Sequence, residues 1–446
     1  MTYLIVVPVN AYPISSDRFA IEGPFADHLR ELAKELQAEV DMIRVAGVEM
    51  PHDEYERSRR YLGELSAERD RVSFTPLYRA DTSRPALLLQ LPRILQRIAK
   101  EVDNAKVVHA GPSHDLYRPI EFPALMFGAA LGRTTISVTD IDNRESPRMM
   151  YTTGRWSRRD YLVARYLYDP VRDLQHRAIA RACDLVLFKG DKLKADYGRE
   201  KPNVRVYRDP GFSAQFVIDE ATLEEKLAAL DRDPVRFVYF GRYVPYKGVH
   251  HMIEAFAQVK GEGELHLMGA GPEEERLRDL VREHRLEGRV TFHQPVLYGP
   301  KFFEVLRSYH LLVAAPLGVD TPRSTWDAFA CGAGLLAYDT EFYSGLANDT
   351  GAIELAPWAD AQALGKKMQS LVNDRNRVRE LARRAAETAR ENPQEAWIRK
   401  RVEWTREILE QHYGKPGESP LSTSNRNDSS EDRSREPSGP NGLDLK

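Results

Sequence analysis

Short, nearly unbroken apolar runs recur along this chain in two separate series, and each is followed by a stretch with helical spacing. Residues 3–9 read YLIVVPV, the pattern of a strand buried on both faces of a parallel sheet. Phe25, Leu29, Leu32 and Leu36 then fall on one helical stripe, with Pro24 in the first turn. Residues 40–45 are a second strand, which gives a βαβ unit, and the polar stretch 10–23 between them reads as a loop. The series continues with a helix at 87–98 interrupted by Pro92, a strand at 106–110, a helix at 122–131 and a strand at 134–138. A helix ending at Cys183 and a strand at 185–188 complete it. The second series predicts strands at 235–240, 264–268, 289–292, 310–315 and 334–338. Between them lie helices at 249–260, 272–285, 300–308 and 325–331; helix 360–373 and a long helical pattern over 374–413 follow. Such alternation predicts an α/β fold of two doubly wound, Rossmann-like domains.

The 446 residues exceed what one core fills. The expected division is an N-terminal domain over 1–212, a linker over 213–234, a C-terminal domain over 235–395, a helix over 396–413 and a tail over 414–446. The tail is rich in Ser, Pro, Asn, Asp and Arg and is expected to be disordered. A net charge of −3 argues against nucleic acid as a partner. Cys183 and Cys331 are the two cysteines, which excludes a disulfide framework or zinc cluster and fits a reducing compartment. No run of 18 apolar residues occurs, and the segment after Met1 reads as strand rather than signal peptide. The expected location is the cytoplasm.

Ligands of open parallel sheets bind beyond the carboxyl ends of the strands, and three segments place glycine or charge there. Gly241-Arg242 and Lys247-Gly248 follow the first strand of the second series. Glycine lets backbone approach a ligand, while arginine and lysine supply a fork and a point charge suited to two phosphates; taken singly, either cation also fits an exposed loop. Gly269-Ala270-Gly271-Pro272 precedes Glu273, Glu274 and Glu275, which complement a helix dipole and would repel phosphate, so this is read as a structural turn. In the third segment, Asp320-Thr321-Pro322-Arg323-Ser324 runs into a helix whose free N–H groups form an anion site. Asp327, on its first turn, can aim a carboxylate at ligand hydroxyls or simply favour the dipole, as Asp320 or Ser324 can cap. The chain thus reads as built to hold a phosphorylated ligand. A nicotinamide dehydrogenase is disfavoured, because residues 5–23 carry no G-x-G-x-x-G.

FGRYVPYKG, LMGAGP and PRSTWDAFACG, in this order and at these separations, resemble the family 4 (group 1) retaining glycosyltransferases of GT-B fold. VVHAGPSH, RACDLVLFKGDKLKADYG and VYRDPGF are similar more loosely, so that the resemblance spans residues 1–413. It implies two Rossmann-like domains facing across a cleft, with the C-terminal helix returning toward the N-terminal domain. Arg242 and Lys247, beside Gly241, would hold the diphosphate of a nucleotide sugar, and backbone N–H groups around Thr321, Arg323 and Ser324 would meet the phosphate. Asp327 takes the position of the second acid of the family's E-x7-E motif and would bond the ribose, while Pro295 and Val296 would lie by the nucleobase. The first acid of that motif is replaced by Val319; either Asp320, one residue later, serves the sugar in its place, or the first acidic role is missing.

The N-terminal half departs from the family pattern as well. The usual Gly-Gly loop is missing, and the family's histidine position falls in SVTDIDNRE, which makes Asp140 a candidate partner of a sugar hydroxyl; a turn-forming Asp is the alternative. His109 and His114 are further candidates. The implied donor is a nucleotide diphosphate sugar, and the acceptor a hydroxyl of a polysaccharide, lipid-linked glycan or small glycoside. No metal cofactor is expected, since two cations can take its place. Val319 keeps open a catalytically degenerate protein that binds nucleotide or glycan or supports a partner enzyme. An epimerase or inverting enzyme on the same fold is a further alternative.

The stretch 144–181 belongs to none of these motifs. It holds nine arginines against four acids, interleaved with Tyr151, Trp156, Tyr161, Tyr166 and Tyr168. It reads either as a helix with a solvated basic face or as a peripheral contact with anionic headgroups at the inner face of a membrane.

Overall fold

A computed structural model describes residues 1–113 and 115–414; His114 and the tail from 415 onward lie outside the described residues. The N-terminal sheet contains β1 (Thr2–Pro13), β2 (Arg18–Glu22), β3 (Met42–Glu49), β4 (Leu62–Ser66), β5 (Val72–Arg79), β6 (Val107–Ala110), β7 (Thr134–Thr139), β8 (Leu185–Phe188) and β9 (Val204–Val206). Its parallel part runs β5-β3-β1-β6-β7-β8-β9. The C-terminal sheet contains β10 (Val235–Arg242), β11 (Gly263–Ala270), β12 (Val290–His293), β13 (Leu311–Ala314), β14 (Gly334–Tyr338) and β15 (Ile353–Ala356), all parallel, in the order β12-β11-β10-β13-β14-β15. In each sheet the first parallel strand lies between its second and fourth. A crevice therefore opens where the winding reverses, between β1 and β6 and again between β10 and β13.

The polar loop expected over 10–23 is a hairpin instead. After an irregularity between Val6 and Asn10, β1 continues to Pro13 and pairs antiparallel with β2, which pairs with β4. Phe19, Ala20 and Ile21 are buried there; three apolar residues among polar neighbours are too few to show a period. The helix Glu341–Thr350 and β15 fill a span to which the periodicity assigned nothing.

Residues 213–234 are no free tether. The helix Glu220–Ala229 sends Leu223 and Leu227 into the C-terminal core, and Leu230 follows them. The last helix, Gln394–Tyr413, does the opposite. Its Ile398, Val402, Ile408 and Leu409 enter the N-terminal core, where Trp397 and Trp404 pack beside them. The chain thus leaves the second domain and is anchored on the first by apolar burial, which holds the two crevices face to face. Among the described residues, no helix is long and apolar enough to cross a membrane.

Candidate active site

Two loops meet at the second crevice, one after β10 and one after β13. Gly248 has φ of 65°, and a Cβ there would lie 1.9 Å from the Ala315 carbonyl oxygen. Only glycine allows this contact, and it sets the β10 loop directly on the β13 loop. Lys247 crosses from one to the other: its Nζ is 2.5 Å from Oδ2 of Asp320, and both side chains are 17 % exposed. Lys247 also stands over the Tyr246 ring, 5.4 Å from its centre, and Tyr246 Oη accepts a hydrogen bond of 2.9 Å from Arg242. Gly241, with φ of 147°, carries Arg242 at the exposed end of β10. The glycines before Glu273 are structural: a Cβ on Gly269 would lie 2.0 Å from the Gly241 oxygen, and one on Gly271 2.3 Å from that of Tyr243.

The remaining C-terminal candidates divide into two groups. Asp327, in the helix Ser324–Ala330, is 5 % exposed and accepts a hydrogen bond of 2.9 Å from Tyr298 Oη. Burial pushes its carboxyl up to about 7, against the pull of Tyr298 and Arg323. Tyr298 follows Pro295 and Val296 in the segment after β12, where Val296 packs on the apolar cluster beneath. Arg323, by contrast, turns toward the interdomain segment and donates to Asp209 Oδ2 at 3.0 and 3.2 Å. Asp209 is half-buried, which raises its pKa, yet Arg323, Lys189 and Arg401 hold it below the usual carboxylate range.

Asp140 lies just after β7 and accepts a hydrogen bond from Tyr207 Oη. Burial raises its pKa, and Lys189 pulls it back. His28 and His109 are driven down to about 3 by burial and are neutral. Lys189 Nζ also reaches the Thr321 carbonyl at 3.5 Å and so bridges the domains.

Two cavities flank these groups. One, of about 400 Å³, lies between the domains, with Asp320, Thr321 and Trp326 on one side and Arg148, Lys189 and Arg208 on the other. The second, of about 520 Å³, sits at the β1/β6 crevice and is lined by Val6, His28, His109, Asp140, Asp209 and Arg323. Tyr207 lines both. Lys247 touches the first through Asp320, whereas neither Arg242 nor Lys247 itself lines either of the two. Sequence reasoning thus found Lys247, Asp320 and Thr321, which meet at the first cavity, and Asp140 and Arg323, which line the second. It missed Lys189, Tyr207 and Asp209. The signal for Lys189 was present, since Lys189-Gly190 follows the apolar run of β8 just as Gly241-Arg242 ends β10.

Residues 222–392 match the family model of glycosyl transferases group 1. No curated protein is similar enough in sequence to be matched. Among solved structures, HepE of Anabaena, crystallised in complex with UDP, superposes with a TM-score of 0.60 at 14 % identity, over 92 % of this chain and 100 % of that one. Sucrose-phosphate synthase of Thermosynechococcus elongatus gives 0.59 at 18 % identity, over 92 % and 99 %. WaaG, a glycosyltransferase involved in lipopolysaccharide biosynthesis, gives 0.59 at 13 % identity, over 90 % and 99 %. The two facing Rossmann-like domains are those of the GT-B fold, and the match to the group 1 glycosyl transferases falls on the second of them.

Proposed function

We propose that the protein is a retaining glycosyltransferase that moves a sugar from a nucleotide diphosphate sugar to a hydroxyl acceptor. The observation that carries this reading is the Lys247–Asp320 pair, which joins the two loops at the C-terminal crevice and opens on the interdomain cavity. A diphosphate placed there draws on Lys247, with Arg242 beside it, and on N–H groups around Thr321 to Ser324. As the sugar–phosphate bond breaks, negative charge grows on the leaving diphosphate, and cations fixed in place stabilise it where it develops. The sugar extends into the cavity toward Asp320, and Asp327 with Tyr298 faces the ribose end, near Pro295 and Val296. The acceptor enters from the N-terminal cavity, where Asp140 receives its hydroxyl and Tyr207 holds Asp140 in position. The leaving phosphate oxygen takes the acceptor's proton on the face from which it departs, which retains configuration. The contacts between the domains keep water from competing.

The test has two arms. A thermal-shift screen against UDP, GDP, ADP and dTDP is expected to select one nucleotide, because a ligand that binds only the folded state stabilises it. NMR of the product made from the corresponding α-linked donor is expected to show an α-linkage; a β-linked product would end the retaining reading. A second reading, a nucleotide-binding protein without turnover, is favoured by Val319 in place of the first acid and by the engagement of Asp320 with Lys247. A thermal shift with neither transfer nor donor hydrolysis would establish it.

A further inference from the structure

We propose that a basic, apolar face of the N-terminal domain docks the protein onto an anionic lipid bilayer. Of the fifteen large hydrophobic residues exposed among the described residues, eleven fall between 88 and 174. Leu88 and Leu89 lie in the helix Arg84–Asp103, and Leu162, Tyr166, Leu167 and Leu174 in the helical stretch 158–182. Leu89 is 84 % exposed and Tyr166 75 %. Three contacts join these elements into one surface. Arg84 stands over the Tyr117 ring at 5.0 Å, Tyr168 Oη donates to Tyr117 Oη at 3.3 Å, and Tyr151 stacks on Tyr161 at 5.0 Å.

The backbone accounts for this exposure. One π-helical turn, Ala164–Tyr168, separates the α-helices Arg158–Val163 and Asp169–Ala182 and shifts the helical register between them. Ala164 is buried, and the next three residues, Arg165, Tyr166 and Leu167, all point outward. A helix that only covered a core would put polar residues there.

Charge selects the occupant. Residues 144–181 carry nine arginines and four acids, and Arg158 and Arg159 are exposed without an ion-pair partner among the described residues. A second copy docked by two-fold symmetry would set this surplus against itself. An anionic bilayer satisfies both halves of the face: apolar tips enter the interface while guanidinium groups meet phosphate.

The face also reaches the chemistry. The helix Ser146–Thr152 lines the interdomain cavity through Arg148 and Met149, and Tyr151 of the same helix is exposed. Resting on the transferase reading, the acceptor delivered by this route is a lipid-linked glycan.

The experiment is co-sedimentation of the full chain with vesicles of phosphatidylcholine alone or mixed with phosphatidylglycerol, without nucleotide. The protein is expected to partition onto the mixed vesicles and to be released by salt. Arg158→Glu with Arg159→Glu should weaken partitioning by about fivefold per removed arginine. Tyr166→Ser with Leu167→Ser should weaken it by about tenfold or more. These side chains are exposed, so an unchanged melting curve serves as the folding control. No partitioning, partitioning indifferent to the anionic lipid, or a concentration-dependent dimer dissolved by the same substitutions would overturn the proposal. The nucleotide thermal shift is read separately, so failure here leaves the transferase reading standing.

Discussion

The carboxyl of Asp327 is held where its ionisation costs free energy. Burial raises its pKa from 3.8 to about 7 in the fold. A carboxyl with a raised folded pKa contributes stability that is complete below the unfolded value and is lost as pH rises through the folded one. Asp327→Asn retains an acceptor for Tyr298 without the charge. It is expected to match the parent near about pH 4 and to exceed it near about pH 8, by at most about 4 kcal/mol. Denaturant unfolding at the two pH values measures this, and equal stability at both would show that Asp327 is not held in this way. The sequence showed Asp327 on the first turn of a helix but not this burial, which depends on Tyr298 reaching over from another segment. In the same way Arg323 was legible as a basic loop residue, whereas its partner Asp209 lies 114 residues away. Residue types at strand ends announce a site; which of them meet is decided by tertiary packing.

Among the elements, the strands of the second series stood out because parallel strands buried on both faces are nearly continuous apolar runs. The hairpin over 10–23 did not, since Phe19, Ala20 and Ile21 are flanked by polar residues and pair across chain distances that no local period reports. At the centre of the site, the fit of the β10 loop against the β13 loop turns on one hydrogen atom. Gly248→Ala must hold a left-handed conformation, at roughly 1–2 kcal/mol, and also displace the Ala315 carbonyl. Gly261→Ala provides the control, because Gly261 has φ of 85° with nothing within 4 Å of its Cβ position. The first substitution is expected to destabilise the protein more than the second and to weaken nucleotide binding; the second should leave binding unchanged. Equal losses in both, read by denaturant titration, would mean that the contact between the loops contributes nothing.

For the molecule as a whole, two doubly wound domains were legible in the alternation, and the returning helix was implied by the resemblance. The charged contacts that close the cleft were not. Lys192 Nζ lies 2.8 Å from Glu341, and Arg208 lies 2.8 Å from Asp349, each joining segments more than a hundred residues apart. Such partly exposed pairs are individually worth about 0–1 kcal/mol. Lys192→Glu is therefore expected to raise the KM for donor by about fivefold at most, with kcat little changed; loss of all activity would mean that this pair does more than hold the domains together.

The proposed transfer requires Lys247 to receive a diphosphate beside Asp320. Calorimetric titration of the nucleotide selected by thermal shift into the parent, Lys247→Ala and Asp320→Asn tests this directly. Removing the cation should weaken binding by about tenfold or more, whereas removing the competing carboxylate should tighten it or leave it unchanged. A folded Lys247→Ala protein that binds the nucleotide as tightly as the parent would contradict it.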